Sequence, residues 1–486
     1  MHSILDTPTF TTQLKDMAEP QKLTLPEVFE HLREENVSSF TKLTKMQESA
    51  WHFFLAQLGA LMHLKGEEAT VREGLLSLTD GDDTPWHLIV PDRKIPAFMQ
   101  PPETLSADNL YKDGKTETLD EIAVVSRAKH HELKQGKSKE SAPEVFAYTL
   151  IESQTSDGFM GRGNYGISRM YSGTGARCMV TTTPSLDPGA WHNRDVEMLL
   201  ASIDELSQYT DKEGHALLWT LPWDGAKDEA LDPSTVHPLM IEVCRRYRLT
   251  ESWSILKQTT KSKRIFTDKD DAAYYGLLSP IWSPVKLNNP PHVFNPGQNP
   301  FSYSKIGNVL WGTGGTYKPS PSFTFKDGSA ARTIVCRALN RGQGKSEGYY
   351  ERYIDAPAKA KNFFDFGAAT DKIREESRTR VEEAGVIAVK LRHALSILFN
   401  DPPPSFTARY DAEVDQRFFD RIWDVDATLG DREELRVFWQ DLLKGIAKDI
   451  FSEAEDVASA SGARKWRLTI KARRIFHSGL NKAFGS

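Results

Sequence analysis

The sequence is short of cysteine, of long apolar runs and of net positive charge, and each shortage excludes a class of protein. The 486 residues include three cysteines, Cys178, Cys244 and Cys336, which lie far apart and outside any C-x-x-C pair. This odd, scattered set argues against a secreted disulfide scaffold and against a cysteine zinc knuckle. The net charge of −6 excludes a protein that is basic throughout, although local basic clusters can still bind nucleic acid.

Signals for export and membrane insertion are missing as well. The apolar run within 51–64 falls short of the ~18 uninterrupted apolar residues that a membrane span needs. Residues 1–16 lack a basic region followed by an apolar run. We therefore expect no signal peptide, no membrane partner and a cytoplasmic location.

The residues that are present are typical of an ordinary globular protein, with 39% hydrophobic and 26% charged side chains. The length favours two or three domains. Helical periodicity predicts helices at about 26–35 and 42–65. The second should bury an apolar stripe made of Trp51, Phe54, Leu55, Leu58 and Met62.

From about 80 to 365 the pattern becomes irregular. Short β-rich runs alternate with clusters of Gly, Pro and Asn; the runs are VFAYTLIES, ARCMVTTTP, ALLWTLPW and SFTFKDG. Two helices are predicted to interrupt them, around 194–210 and 235–248. This pattern predicts an irregular α+β domain with long functional loops.

Beyond residue 366 the chain becomes helical and, outside its connections, nearly free of Pro and Gly. Four amphipathic segments are predicted, at about 368–399, 409–426, 431–458 and 463–484. Their short connections favour an antiparallel four-helix bundle. The predicted fold class is therefore α+β, with a large irregular mixed N-terminal domain over 1–366 and a C-terminal four-helix bundle over 367–486.

The last predicted helix carries positive charge of one sign. Its basic residues include Arg464, Arg467, Lys471 and Arg474, and it contains no Asp or Glu. A solvated helix face normally mixes signs, whereas a face that contacts phosphates releases counterions when its charges are all positive. The alternative is that this helix packs against the acidic helices before it, which contain DREE and EAED.

A second basic cluster is SRAKHHELKQGKSK at 126–139. Its candidate nucleic-acid ligands are Arg127, Lys129, His130, His131, Lys134 and Lys137. Its polar composition predicts a loop, which either grips phosphates or is a plain exposed loop. Adjacent residues on an extended segment point to opposite faces, so His130-His131-Glu132 is not interpreted as a metal site.

A third basic run lies at 245–264, with four arginines and three lysines against one Glu. A solvated surface and a binding surface are equally compatible with it.

Residues 157–177, DGFMGRGNYGISRMYSGTGAR, are rich in glycine. Gly161, Gly163 and Gly166 satisfy G-x-G-x-x-G, but a dinucleotide site also needs a helix directly after the glycines, and a β-rich run follows instead. Glycine allows the backbone to approach a bulky partner closely. With Arg162, Arg169 and Arg177 interleaved, the segment is either a nucleic-acid-binding loop or a structural turn.

Catalytic motifs were not found. The sequence contains no H-E-x-x-H, G-x-S-x-G or Walker A motif, and His192-Asn193 alone does not make a nuclease site. We therefore expect a protein that is not an enzyme and that uses neither a cofactor nor a metal.

The order of several motifs resembles that of one family, the large subunit (CasA-type) of the type I-E CRISPR interference complex, Cascade. The motifs are LTLPEVFEHL at 23–32, PAFMQPPE at 96–103, the basic loop, DGFMG followed by a TTT strand, TYKPSPS at 316–322, RGQGKSEGYYERYI at 341–354, and RFF at 417–419 in the bundle. Each motif is weak alone, but together they cover nearly the whole chain.

The resemblance implies a role in antiviral defence. Members of this family belong to an RNA-guided complex, read the protospacer-adjacent motif on duplex DNA, begin to open the duplex for R-loop formation and recruit a helicase-nuclease. The implied partners are guide CRISPR RNA, target double-stranded DNA, the backbone, small and handle-binding Cascade subunits, and an effector nuclease, in a prokaryotic cell.

The resemblance also implies site residues. The family's motif-reading glycine loop matches Gly158 and Gly161 beside Arg162, and its groove-reading lysine matches Lys305, with Lys318 in reserve. The wedge that splits the first base pair falls on the hairpin that contains Gln343, Lys345 and Ser346, with the first two preferred. The loop 126–139 resembles the one that anchors the subunit to the guide and to neighbouring subunits.

Two other functions stay open from the sequence. One is a nucleotide-dependent enzyme that uses the glycine segment 158–166. The other is an RNA-binding structural protein that does not recognise duplex DNA.

Overall fold

The computed structural model describes residues 2–66, 70–104, 115–117, 119, 142–158, 161–170, 176–226, 229–266, 275–297, 299–311, 316–328, 331–342, 345–364, 368–399, 401–427, 432–458 and 462–484. The chain forms two compact units. The first comprises 1–300, 318–327 and 333–353, and the second comprises 301–317, 328–332 and 354–486.

The first unit begins with a small antiparallel sheet in the order β2-β1-β3, formed by β1 (Phe10–Leu14), β2 (Gln21–Leu23) and β3 (Val37–Phe40). Helix α1 (Leu25–Arg33) follows β2 directly. It starts at Thr24 because the Thr24 hydroxyl accepts from the N–H of Glu27 while the Glu27 carboxylate accepts from the N–H of Thr24.

Helix α2 (Lys45–Lys65) lies in the core of this unit, and α3 (Val71–Ser77) packs against it. All five residues of the predicted apolar stripe are buried, as expected. The helix is buried on more sides than the stripe alone, since Phe53, Ala56 and Leu61 are buried too. It therefore contacts neighbours around most of its circumference.

The rest of the first unit alternates short helices and strands. Its elements are β4 (Lys115–Glu117), α4 (Pro143–Thr155), β5 (Met179–Thr183), α5 (Pro188–Ala201), α6 (Ile203–Leu206), β6 (His215–Leu217), β7 (Val236–Ile241), β8 (Arg246–Leu249), β9 (Ile255–Gln258), β10 (Val285–Lys286), β11 (His292–Val293) and α8 (Pro321–Thr324). In strand β12 (Tyr317–Lys318), Tyr317 belongs to the second unit and Lys318 to the first. Strands β13 (Arg332–Gly342) and β14 (Lys345–Ala356) lie mostly in the first unit.

These strands form small sheets. Their orders are β11-β10-β12, β14-β13-β5, β4-β9-β8 and the parallel pair β6-β7. In the second of these, Val335 faces Thr181 across an antiparallel pair, so the TTT segment of β5 pairs with β13.

Three local predictions were wrong. The run VFAYTLIES was expected to be extended, but it lies in helix α4, which begins at Pro143. Nearly every residue of α4 is buried, so its sequence lacks the alternation of polar and apolar residues that marks a surface helix.

The other two errors are the predicted helix at 235–248, which is two strands, β7 and β8, and the β-rich run SFTFKDG, which contains the short helix α8. Residues 236–249 are all buried. A short run that is buried on both faces has no period, so strand and helix cannot be separated by pattern there.

The second unit contains helices α7 (Tyr303–Trp311), α9 (Ala368–Leu398), α10 (Pro404–Ala427), α11 (Arg432–Val457) and α12 (Gly462–Asn481), with a 3₁₀ segment at Ala358–Phe364. Helix α9 contacts α10, α11 and α12. Buried aromatic residues fill the interior, with Phe418 5.9 Å from Trp439 and Phe451 stacked 4.3 Å from Phe476.

The predicted α+β fold class with a helical C-terminal region is confirmed. The helical unit also includes residues 301–317, which the predicted boundary at 366 assigns to the first domain. These residues are fixed to the bundle because the Tyr303 N–H donates to Asp415 at 2.6 Å. Tyr303 also lies 5.4 Å from Phe418.

Candidate nucleic-acid interface

The glycine loop begins where helix α4 ends, and one buried arginine closes that helix end. Arg245, 2% exposed, donates to the carbonyls of Ser153 and Gly158, the latter at 2.8 Å, and lies 3.4 Å from Asp157. The last carbonyls of a helix have no partner within the helix and carry partial negative charge, which a cation stabilises. Arg245 therefore fixes the backbone at Asp157 and Gly158.

Backbone hydrogen bonds hold the rest of the loop. The Ile167 N–H donates to the Asp157 carbonyl at 3.3 Å, and the Thr260 N–H donates to the Gly163 carbonyl at 3.0 Å. The loop is thus closed at its base and attached to the segment after β9. Phe159 and Met160 lie outside the described residues.

Two glycines in the loop adopt positive φ, for different local reasons. Gly161 has φ +113° and open space where a side chain would lie, while Gly163 has φ +80° and would place a Cβ 2.7 Å from Thr259 Cβ. Gly158 is buried and Arg162 is exposed. The loop therefore presents bare backbone at Gly161 and a guanidinium at Arg162 to the outside.

The loop lacks the surroundings of a dinucleotide site in the part of the chain that the structure describes. A helix, α4, precedes it in place of the strand that such a site requires, and residues 164–170 form turns and irregular backbone. A pyrophosphate site needs a helix N-terminus directly after the glycines. The glycines instead allow the positive-φ backbone of the loop itself.

Arg169 and Arg177 do not face outward, contrary to the expectation for this segment. They are 3% and 6% exposed. Burial lowers the pKa of Arg169 to about 10, and the nearby Glu242 carboxylate opposes that change. The Arg177 guanidinium lies 4.4 Å from the centre of the Phe53 ring, in a cation–π contact. Both arginines are parts of the core.

The basic run at 245–264 is likewise mostly internal. Arg246 pairs with Glu103 at 2.9 Å, Arg248 donates to three carbonyls between residues 90 and 95, and Arg264 donates to the carbonyls of Pro222, Leu218 and Leu221. All four arginines of the run are at most 5% exposed. For them, both interpretations offered by the sequence, a solvated and a binding surface, are wrong.

The predicted wedge hairpin is formed by β13 and β14, which are neighbours in one sheet. Strand β13 ends at Gly342, and β14 begins at Lys345. Gln343 lies outside the described residues. Lys345 and Ser346 are the first two residues of β14. The assignment of this hairpin as the wedge stays a prediction.

The two candidate groove-reading lysines are both exposed. Lys305 lies in α7 of the second unit. Lys318 lies in β12, where its Nζ is 2.6 Å from Glu205 Oε1. A surface pair of this kind contributes little stability and can exchange for a phosphate.

Helix α12 has one buried and one basic face. Ala472, Phe476 and Leu480 are buried at a spacing of four residues, whereas Arg467, Lys471 and Arg474 are exposed. Among the described residues, no carboxylate forms an ion pair with these three. Arg473 is different, because its Nε lies 2.7 Å from Glu455 Oε1 of α11.

The packing interpretation of the last helix applies to Arg473, and phosphate contact by the three exposed cations stays a prediction. Arg473 forms an ion pair with Glu455 in the acidic segment EAED. The exposed Arg467, Lys471 and Arg474 are the candidates for phosphate contact. Arg464 lies in the first turn of the helix.

The basic candidates for contact with guide RNA lie outside the described residues; they are Arg127, Lys129, His130, His131, Lys134 and Lys137.

Within the described ranges, no helix combines the length and the apolar character needed to cross a membrane.

Comparison with known proteins identifies the fold. No known-family profile and no curated protein matches the sequence. Solved structures match along the whole chain. CasA (Cse1) of Thermus thermophilus has a TM-score of 0.63 at 13% identity, over 99% of this chain and 100% of that one.

Two further structures agree. Cse1 of Thermobifida fusca gives a TM-score of 0.64 at 15% identity, over 99% of this chain and 98% of that one. A chain of a CRISPR RNA-guided surveillance complex gives 0.60 at 11% identity, over 98% and 99%. The chain therefore has the CasA (Cse1) fold from end to end, and the resemblance seen in the motifs is confirmed for the fold.

Proposed function

We propose that the protein is the large subunit of an RNA-guided DNA surveillance complex of the type I-E Cascade kind. The observation that carries this proposal is the coincidence of a full-length CasA (Cse1) fold with a glycine loop that is fixed at its base and bare at its outer end. Sequence specificity beyond a short DNA motif would then belong to base pairing with the guide.

The glycine loop suits the reading of a duplex groove. Gly161 carries no side chain, so its backbone can come close to base edges where any other residue would project into the groove. Arg162, beside it, can pair with a phosphate. In the minor groove, A·T and G·C pairs differ by the guanine amino group, so contacts of the backbone can distinguish them.

The hairpin β13–β14 is the proposed wedge. Its tip, with Gln343, Lys345 and Ser346, would separate the first base pair beside the motif and offset the few kcal/mol that unstacking costs. The test is the rate of guide pairing for a Gln343→Ala, Lys345→Ala variant on paired and pre-melted targets. Rescue on the pre-melted target supports the wedge, and an equal defect on both targets contradicts it.

The subunit itself is proposed to be non-catalytic, with DNA cleavage left to a helicase-nuclease or another effector nuclease that the complex recruits. The exposed face of α12 would follow the DNA backbone, and the segment 126–139 would contact guide RNA and neighbouring subunits in a prokaryotic cytoplasm. Phosphate contacts of this kind position a duplex without reading it.

The assembly is testable with and without its partners. The purified chain alone is expected to bind DNA weakly at physiological salt, since its net charge is negative and its basic patches are dispersed. Reconstituted with guide RNA and the other Cascade subunits, it should confer binding to duplex targets. Guide-RNA binding without any effect on duplex targets would instead favour an RNA-binding structural protein.

A further inference from the structure

A cavity of about 420 Å³ in the first unit is lined by no described residue of the glycine-rich segment 157–177. It lies between β3, the start of α2, α5 and the strands β13 and β14. Its aromatic lining includes Phe40, Trp51, Trp191 and Tyr353. Ligand sites of this size take small organic molecules, and aromatic walls favour flat ones.

Two lining residues of this cavity, Trp51 and Trp191, carry buried indole N–H groups. Trp51 is 2% exposed and Trp191 is 5% exposed, and neither Nε1 atom meets an acceptor among the described residues. A buried donor without an acceptor costs free energy. The two Nε1 atoms are themselves shielded, so a flat ligand would contact the ring carbon atoms of these side chains and not their N–H groups.

The charged groups of the cavity favour an anion. Lys45 Nζ lies 3.1 Å from Glu48 Oε1, and Arg337 Nη2 lies 2.8 Å from Glu48 Oε2, so two cations share one lining carboxylate. The Arg337 guanidinium lies 5.8 Å from the centre of the Trp191 ring and 5.6 Å from the centre of the Tyr353 ring. It donates to the Tyr353 hydroxyl, which also lies 3.4 Å from Glu351 at the surface.

Hydrogen bonds hold the cavity in shape without a ligand. His52 packs 4.4 Å from the Trp191 ring, and its Nε2 lies 2.8 Å from Asp195. Asp195 is fully buried and accepts from Arg194 at 2.6 Å and from Trp282 at 2.8 Å. Little ordering is therefore needed on binding, which favours affinity.

We propose that this cavity binds one unstacked nucleotide, with its base among the aromatic rings and its phosphate at Lys45 and Arg337. Free bases stack on aromatic side chains whatever their sequence, whereas paired bases inside a duplex cannot enter. The nucleotide would come from a single-stranded part of the guide RNA or of the opened target, a source that rests on the proposed function.

Titration calorimetry of the purified full chain tests the proposal, with the four 5′-monophosphates and the four matching nucleosides as probes. Trp191→Leu should weaken binding of both kinds of probe about tenfold, because it removes a stacking surface. Lys45→Ala should weaken only the monophosphates, several-fold. Lys45 is largely exposed, so this variant tests the proposal even where Trp191→Leu folds poorly.

Asn193→Ala is the matched control. Asn193 lies on the same helix as Trp191 but is not among the residues that line this cavity, so binding should stay unchanged. Short oligoribonucleotides and oligodeoxyribonucleotides as competitors then distinguish guide from target. Failure of every probe to bind, or equal affinities for the wild type and both cavity variants, would overturn the proposal. Because this cavity and the glycine loop share no described residue, motif-dependent binding by the assembled complex can survive the loss of nucleotide binding here, so the two hypotheses fail separately.

Discussion

Two basic regions look alike in the sequence and differ in the structure. In the first unit, Arg245 and Arg248 are 2% and 3% exposed and donate to backbone carbonyls. In the second unit, Arg467, Lys471 and Arg474 of α12 are exposed. One set of charges holds loops in place, and the other faces solvent.

The neighbouring residues decide between these roles. Strand β8 is buried on both faces, so an arginine there must bring its charge inside and find acceptors within the core. Helix α12 buries one face only, through residues such as Phe476. Its other cations keep their hydration and can release counterions when they meet phosphates. The presence of basic residues alone therefore does not identify a binding surface.

The largest expected effect is at Arg245. Arg245→Met should lower the free energy of unfolding by about 3–5 kcal/mol, because Asp157 and the carbonyls of Ser153 and Gly158 lose their buried partner. It should also abolish motif-dependent binding under conditions where the chain is still folded. Denaturant unfolding and duplex-target binding by the assembled complex measure the two effects.

Arg248→Met is the matched control for Arg245. It removes an equally buried arginine three residues further along the chain, in β8, but one that holds the loop around residues 90–95. We expect similar destabilisation with motif-dependent binding retained. Equal loss of motif recognition in both variants would mean that Arg245 acts through general stability alone.

His192 is another buried basic side chain of the first unit, and burial lowers its pKa to about 3. Below about pH 6.5 the unfolded chain binds a proton at His192 that the folded chain does not bind. The free energy of unfolding therefore falls as the pH falls, by about 2 kcal/mol at pH 5. His192→Asn should therefore gain about that much relative to wild type between pH 7.5 and pH 5. Unfolding curves at the two pH values check this, and a constant difference contradicts it.

Alanine variants of two loop glycines are expected to separate the cost of backbone strain from the cost of a steric clash. Gly161→Ala places a side chain in open space at φ +113°, so we expect a cost of about 1–2 kcal/mol and a large loss of motif recognition. Gly163→Ala adds a clash with Thr259 and should destabilise more. Unchanged target binding by Gly161→Ala would remove the loop from the motif.

The exposed region should show the smallest effect on stability. Replacing Arg467, Lys471 and Arg474 together by Ala should change the free energy of unfolding by less than about 0.5 kcal/mol. The slope of log binding constant against log salt should fall by about 2–3, with motif preference unchanged. Arg473→Ala, on the same helix but paired with Glu455, should leave the slope unaltered. An unaltered slope in the triple variant would favour packing as the role of this face.

Long periodic segments were predictable from sequence, and short buried ones were not. The apolar stripe of α2 and the four helices after residue 368 follow helical periodicity. Helix α4 and strands β7 and β8 are buried on nearly all sides, which removes the periodic signal.

The candidate site was partly predictable as well. Gly161 could be found because glycine clusters mark backbone with positive φ, and the structure has that backbone there. Arg245 was missed as a loop anchor because its contact with Gly158 joins residues 87 positions apart. The aromatic cavity was missed for the same reason, since Trp51, Trp191 and Tyr353 come from distant segments.

The most direct test of the account is the rate of guide pairing on duplex targets by a complex reconstituted with the wild-type chain or with Gly161→Asp. The targets carry or lack the adjacent motif, and a single-stranded target serves as the reference. We predict fast, motif-dependent pairing with the wild type, none on duplex targets with Gly161→Asp, and equal pairing of both complexes with the single strand. Motif-dependent pairing that survives Gly161→Asp would contradict the assignment of motif reading to the glycine loop.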